Sequence, residues 1–321
     1  MRLLTVLATA LPLLAATTPA SATAPGKPHV PAGVTAGYLV FDRQTAKVTE
    51  HRNAHRRFRS ASVVKILIAI DYLESHSGVS KKDLALLKVM LRVSDDAAAT
   101  SFWSRGGQGR IIQRMARKLQ LTDTAPPPAD KPGFWGYASL SAMDVVKTYR
   151  YLLDRADPKV SGLILGHLRR AGQCGSDGFD QYFGIPRGVR GPWAVKQGWS
   201  GYGSTPPVRC RPATSPAART ASAAFTSASP VSASPAPVAL GATASRRGSA
   251  TAPGGVTTAA PAGAGVVPDL GRPVLHTTGL VGPKERWIMV LLTAHPAGST
   301  WRRSTGQTTK LAGEVHLGGT S

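Results

Sequence analysis

Cysteine is scarce in this chain: two residues, Cys174 and Cys210, among 321. Two thiols cannot build a disulfide scaffold or a multi-cysteine zinc site. Acidic side chains are also few, 17 against 39 Lys and Arg, so the formal net charge is +22. Aromatic residues make up only 6%. The arginines are scattered, with doublets such as Arg56–Arg57 and Arg302–Arg303, and no basic stripe interleaved with aromatic rings exists. That pattern argues against a nucleic-acid partner. After the N-terminal run, no stretch approaches the ~18 apolar residues of a membrane span. Gly (34) and Pro (25) are abundant but lack a three-residue period, which excludes collagen. Gly-x-Ser-x-Gly, phosphate-loop and His-Glu-x-x-His motifs are absent, so no cofactor and no metal site are expected.

The features that are present begin with export. Met1-Arg2, an apolar run from Leu3 to Ala16 and the small residues Ala20-Ser21-Ala22 predict a signal peptide over 1–22. No Cys follows the run, so no lipid anchor is expected, and the product should be secreted, either extracellular or cell-wall associated. A solvated basic surface would suit anionic cell-wall polymers as partners. Residues 211–270 are dominated by Ala, Ser, Thr, Pro and Gly and hold neither Lys nor Glu. Such sequence buries too little apolar area to offset its chain entropy. The expectation is one domain, 23–203 plus 271–321, interrupted by a disordered insert at 204–270.

Apolar patterning predicts strands at 35–42, 46–51, 191–198, 273–279 and 286–294. Helices are expected at 80–91, 95–104, 108–119, from Ser141 to 154, at 159–170 and at 304–315. The segment from Ser62 to Ser75 is apolar on nearly every face, which predicts a buried central helix. Strands at both chain ends around a helical block make an α+β fold with one antiparallel sheet.

The central helix opens on Ser62-Val63-Val64-Lys65, which places the lysine one helical turn after the serine. A desolvated lysine loses affinity for its proton and serves as a base. Backbone N–H groups at a helix start favour negative charge on an acyl oxygen. Ser94-Asp95-Asp96 follows between two helices, and Lys196-Gln197-Gly198 ends a strand. Ser-x-x-Lys, Ser-Asp-x and Lys-x-Gly, in that order, are the three motifs of penicillin-recognising serine enzymes. Over about 33–203 and 271–316 the chain resembles the class A β-lactamase-like serine hydrolases. The resemblance implies a β-lactamase/D,D-peptidase-like fold: the antiparallel sheet flanked by helices, plus a helical subdomain. Its implied substrate is a β-lactam or a peptidoglycan-type D-alanyl peptide. Ser62 would be the acylated nucleophile and Lys65 its base. Ser94 would relay a proton, and Lys196 would hold the substrate carboxylate. Asp96, Gln197, Gly198 and Trp199 would contact substrate, with the N–H groups of Ser62 and Trp199 as oxyanion hole.

The departures are specific. Asp96 stands where the family has Asn, an acceptor-only carboxylate in place of an amide, and it could pair with Lys65. Gln197 replaces Thr or Ser. The interval from Ser62 to Ser94 is short for the family. No Glu occurs between Glu74 and Glu285, so the carboxylate that activates the deacylating water in class A enzymes has no counterpart. Asp123 and Asp130, in the Pro-rich stretch, are the substitutes on offer. A catalytically weak cell-wall-binding protein that retains the fold is the alternative reading. Cys174 and Cys210 flank the third-motif strand, and whether they are bonded is left open.

Overall fold

The computed structural model describes residues 26–212 and 267–321. Its centre is a five-stranded antiparallel sheet built from both ends of the chain. Strands β1 (Thr35–Asp42) and β2 (Lys47–Arg52) form a hairpin. A two-residue ribbon joins β3 (Phe58–Arg59) to β4 (Ser139–Leu140). Between these lie α1 (Lys65–Glu74), α2 (Lys81–Arg92), α3 (Asp96–Arg105) and α4 (Gly109–Leu119). After β4 come α5 (Ala142–Asp154), α6 (Pro158–Leu168) and a single turn, α7 (Ile185–Gly188). Strands β5 (Trp193–Ser200), β6 (Val274–Val281) and β7 (Trp287–Ala294) complete the sheet in the order β2-β1-β7-β6-β5, and α8 (Trp301–Thr320) closes the chain.

Period-two alternation divides the sheet between two cores. Tyr38 and Val40 of β1 and Met289 and Leu291 of β7 pack with Leu311, Ala312 and Val315 of α8. Leu39, Phe41, Ile288, Val290 and Leu292 enter the larger core with α1 and α5. The C-terminal end of α8 lies so near β1 that a Cβ on Gly319 would sit 2.7 Å from Val40. In α1 every residue from Lys65 to Leu73 is buried, so a helix covered on all sides is the hub of the helical layer. Each buried Ile or Leu there contributes about 1.5–3 kcal/mol relative to exposure.

Serine and aspartate caps set the helix starts. Ser80, Asp95 and Ser141 each accept a backbone N–H three residues on. The central helix differs from the sequence expectation at its first turn. Ala61–Val64 is a 3-10 turn and α1 begins at Lys65. The chain leaves β3 sharply, with Ala61 at φ +43°, which prevents a regular α start. The two-residue β3–β4 ribbon is too short for any periodicity to announce.

The expected signal peptide (1–22) lies outside the described residues, as does most of the expected insert. The insert's described edges are tied to the domain. Cys210 N donates to Gly178 O, Val267 is buried, and Asp269 pairs with Arg56 at 2.9 Å. Cys174 and Cys210 form a disulfide across a sequence separation of 36. Closing a loop of that length in the unfolded chain is worth about 4 kcal/mol in chain-entropy terms. Reduction should therefore lower the melting temperature by roughly 10 °C, measured by calorimetry with and without a phosphine reductant. A shift under ~2 °C would show that the bridge constrains little.

Candidate active site

Ser62, Lys65, Ser94 and Lys196 converge from three parts of the chain. Ser62 sits in the 3-10 turn that follows β3, and the turn is held by Ser60 N donating to Ala138 O. It packs on β5: a Cβ on Gly198 would lie 3.2 Å from the backbone N of Ser62. A side chain at 198 would crowd the strand against the Ser62 turn, so glycine suits this close approach. Ser62 lines a cleft of about 440 Å³ together with Asp96, Thr100, Trp135, Asp177 and Trp199.

The second motif divides three tasks among three consecutive residues. Ser94 takes φ +59°, a left-handed conformation costing about 1–2 kcal/mol for a non-glycine residue. Asp95 is the N-cap of α3 and accepts from Ala98 N at 2.7 Å. Asp96 begins the helix, and its exposed carboxylate reaches the cleft. Strained positions at both 61 and 94 border the site, the pattern found where geometry is held for function.

Two fully buried lysines meet at one hydroxyl. Lys196 Nζ donates to Ser94 Oγ at 2.9 Å and to Gln197 O at 2.9 Å. Lys65 Nζ donates to Ser94 O at 2.6 Å, to Ser94 Oγ at 3.3 Å and to Asp96 Oδ1 at 2.6 Å. With both lone pairs of Ser94 Oγ engaged by amines, its own proton is left free to donate. Burial pushes Lys65 below the ordinary lysine range, against the opposing pull of the Asp96 carboxylate. Lys196 is pushed well below it, first by burial and then by the charge of Lys65. Lys65 also lies 4.6 Å from the ring centre of Trp135. A protonated lysine has three donors, and all three are used on Ser94 and Asp96. Among the described residues no hydrogen bond joins Lys65 to Ser62.

The other expected site residues sort differently. Trp199 lines the cleft, and Gly198 packs against the Ser62 backbone behind it. Gln197 does not: its amide N donates to the carbonyls of Gln181 (3.1 Å) and Phe183, on the face of β5 opposite Lys196. Its buried Oε1 has no partner among the described residues. The expectation that Gln197 contacts substrate is therefore corrected for its side chain. Neither substitute carboxylate reaches the cleft. Asp123 accepts from Ser141 Oγ at 2.7 Å and pairs with His55, and Asp130 is exposed beside Lys131. The stretch that follows them presents Phe134, Trp135 and Tyr137 instead.

Sequence reasoning missed Asp177. Its Oδ2 accepts from Trp199 Nε1 at 2.9 Å and its Oδ1 from Phe179 N at 3.1 Å. Burial raises its carboxyl above the usual range. The Asp177-Gly178 pair announces a turn, but only the disulfide beside it and the indole of Trp199 bring that turn to the cleft. Trp135, in Gly-Phe-Trp-Gly-Tyr, was readable only as an aromatic loop.

No family model matches the chain. It is 37% identical over 175 residues to proteins named "Putative lipoprotein LppW" from Mycobacterium bovis and Mycobacterium tuberculosis, covering 52% of this chain and 54% of theirs. The chain thus spans about half the length of the curated relatives it matches. Among solved structures, a mutant of PBP-A in acyl-enzyme complex with penicillin G superimposes with a TM-score of 0.54 at 11% identity, covering 89% of this chain and 90% of that one. A class A β-lactamase from Mycobacterium abscessus gives 0.54 at 14%, covering 90% and 95%. At such identities the likeness is one of fold, and the fold is β-lactamase/PBP-like α+β.

Proposed function

We propose that this chain is an exported serine acyl-transfer hydrolase of the β-lactamase-like class. Ser62 is acylated by a β-lactam or a D-alanyl peptide. The observation that carries the reading is the convergence of Ser62, Lys65, Ser94 and Lys196 beside one cleft, with Gly198 against the Ser62 backbone. In this reading neutral Lys65 accepts the Ser62 proton as Oγ attacks the carbonyl carbon. The N–H groups of Ser62 and Trp199 hold the oxyanion. Ser94, polarised by the two amines, delivers a proton to the leaving nitrogen as the C–N bond breaks. Water then releases the acyl group. Export is supported by the leader-like N-terminal sequence and by the lipoprotein name of the mycobacterial relatives.

Release should be the slow step. A positioned base contributes about 10²- to 10⁴-fold. Asp123 and Asp130 are engaged away from the cleft, and the two cleft carboxylates already accept hydrogen bonds, Asp96 from Lys65 and Asp177 from Trp199 and Phe179. Intact-mass measurement after incubation with penicillin G should find one added equivalent that persists, and kinetics should show a one-equivalent burst. Fast multiple turnover without a burst would refute slow release. A second reading, a cell-wall-binding protein with little catalysis, is favoured by the three occupied donors of Lys65. Absence of any adduct would support it.

A further inference from the structure

The charge on the cleft wall is opposite to that of the chain. Lys and Arg outnumber Asp and Glu 39 to 17, yet the charged side chains among the described cleft-lining residues are Asp96 and Asp177. The two lysines of the site lie beneath that wall, fully buried. Lys65 is paired with Asp96, and Lys196 is turned onto Ser94 Oγ and Gln197 O. Asp177 is different. Among the described residues its hydrogen bonds come from an indole and a backbone amide, and neither donor carries a charge. Neither donor neutralises the carboxylate, the charge of nearby Lys65 offsets only part of the upward push of burial, and a carboxylate keeps further acceptor sites after two bonds. Around it the lining is aromatic: Phe134, Trp135, Tyr137 and Trp199. Aromatic faces attract cations, and a low-dielectric cleft of one sign focuses its field on an entering ligand.

We propose that this cleft selects substrates bearing a cationic amine, with Asp177 as the specificity-determining carboxylate. The proposal rests on the serine-enzyme reading for its site, and it names the substrate class that the reading left open. It also departs from recognition centred on a substrate carboxylate, because the described cleft-lining residues include no Lys or Arg to receive one.

A matched penicillin series tests it. Ampicillin, penicillin G and carbenicillin share one nucleus and differ at one side-chain carbon, which carries an ammonium, a hydrogen or a carboxylate. At pH 7 most of an α-amino group is protonated, and the raised Asp177 carboxyl is more fully ionised than at lower pH. The second-order rate of adduct formation, followed by intact mass, should fall in that order, with at least a roughly tenfold spread between the extremes. The spread should narrow in 1 M salt, where the screening length is about 3 Å. Asp177→Asn should bring the extremes within about threefold, and Asp177→Glu should preserve the order, on the same electrostatic argument. The salt dependence of the unaltered protein keeps the test decisive if Asp177→Asn does not fold. Adducts formed at equal rates, or fastest with carbenicillin, overturn the inference and leave the serine-enzyme reading standing. If no penicillin gives an adduct, the serine-enzyme reading fails, and calorimetric binding of the three compounds to Ser62→Ala decides the inference alone. Tightest binding of ampicillin supports it. No binding, or tightest binding of carbenicillin, overturns it.

Discussion

Ser62→Ala should abolish the penicillin adduct completely while leaving the fold intact. Ser62 Oγ makes no hydrogen bond among the described residues, and its nearest supports are backbone: the Ser60–Ala138 hydrogen bond and the close approach of Gly198. Removing an unpaired hydroxyl costs under about 1 kcal/mol, since no buried partner is orphaned. The left-handed residue Ala61 and the 3-10 turn do not depend on the hydroxyl. A melting temperature within a few degrees of the parent, together with an unmodified mass after prolonged incubation, would assign the loss to chemistry. An adduct that survives would move the nucleophile to another residue. Ser94 is the first to examine, because its hydroxyl already has two amine neighbours at 2.9 and 3.3 Å.

How much of this could be read in advance depended on the length scale of the signal. The long strands β1 and β7 and the helices α2 to α5 were readable because their apolar periods run for several turns or pleats, and β1 and β7 lie side by side over their full length. The nearly all-apolar α1 announced a buried hub for the same reason. Features two to four residues long carried no period. The β3–β4 ribbon and the 3-10 turn at Ala61–Val64 arise from tertiary contacts and from one left-handed residue, and together they aim Ser62. Gln197 shows a different failure. A motif borrowed as a unit made it a substrate contact, whereas strand alternation alone sends 196 and 197 to opposite faces. The pairing of Asp96 with Lys65 was foreseeable because an acceptor-only side chain beside a buried amine has one good partner. Asp177 was not, because its approach to the cleft depends on contacts across a loop: Cys174 with Cys210, and the carboxylate with the indole of Trp199.

Asp96→Asn should increase the rate of acylation on the acidic limb of its pH profile and move that limb. For Lys65 to take the Ser62 proton it must be neutral, so the rate rises with pH as the ammonium loses its proton. Burial lowers the lysine's proton affinity, and Asp96 opposes this by charge and by hydrogen bond. Exchanging the carboxylate for an amide removes the charge and leaves only a neutral acceptor in its place, so the folded-state pKa of Lys65 falls and the acidic limb of the rate profile shifts to lower pH. A close opposite charge is worth about 1–3 pKa units. At a pH below the original limb, each unit is about a tenfold gain in the neutral fraction, so roughly 10- to 1000-fold faster adduct formation is expected on the acidic side of that limb. An asparagine there also restores a donor facing the cleft. The check is the pH profile of the second-order acylation rate for both proteins. A parallel limb displaced toward acid supports Lys65 as the base restrained by Asp96. An unchanged limb with an altered plateau would mean that Asp96 touches substrate without governing the lysine. A slower variant at every pH would make the ion pair part of the working site and remove the strongest argument for weak catalysis.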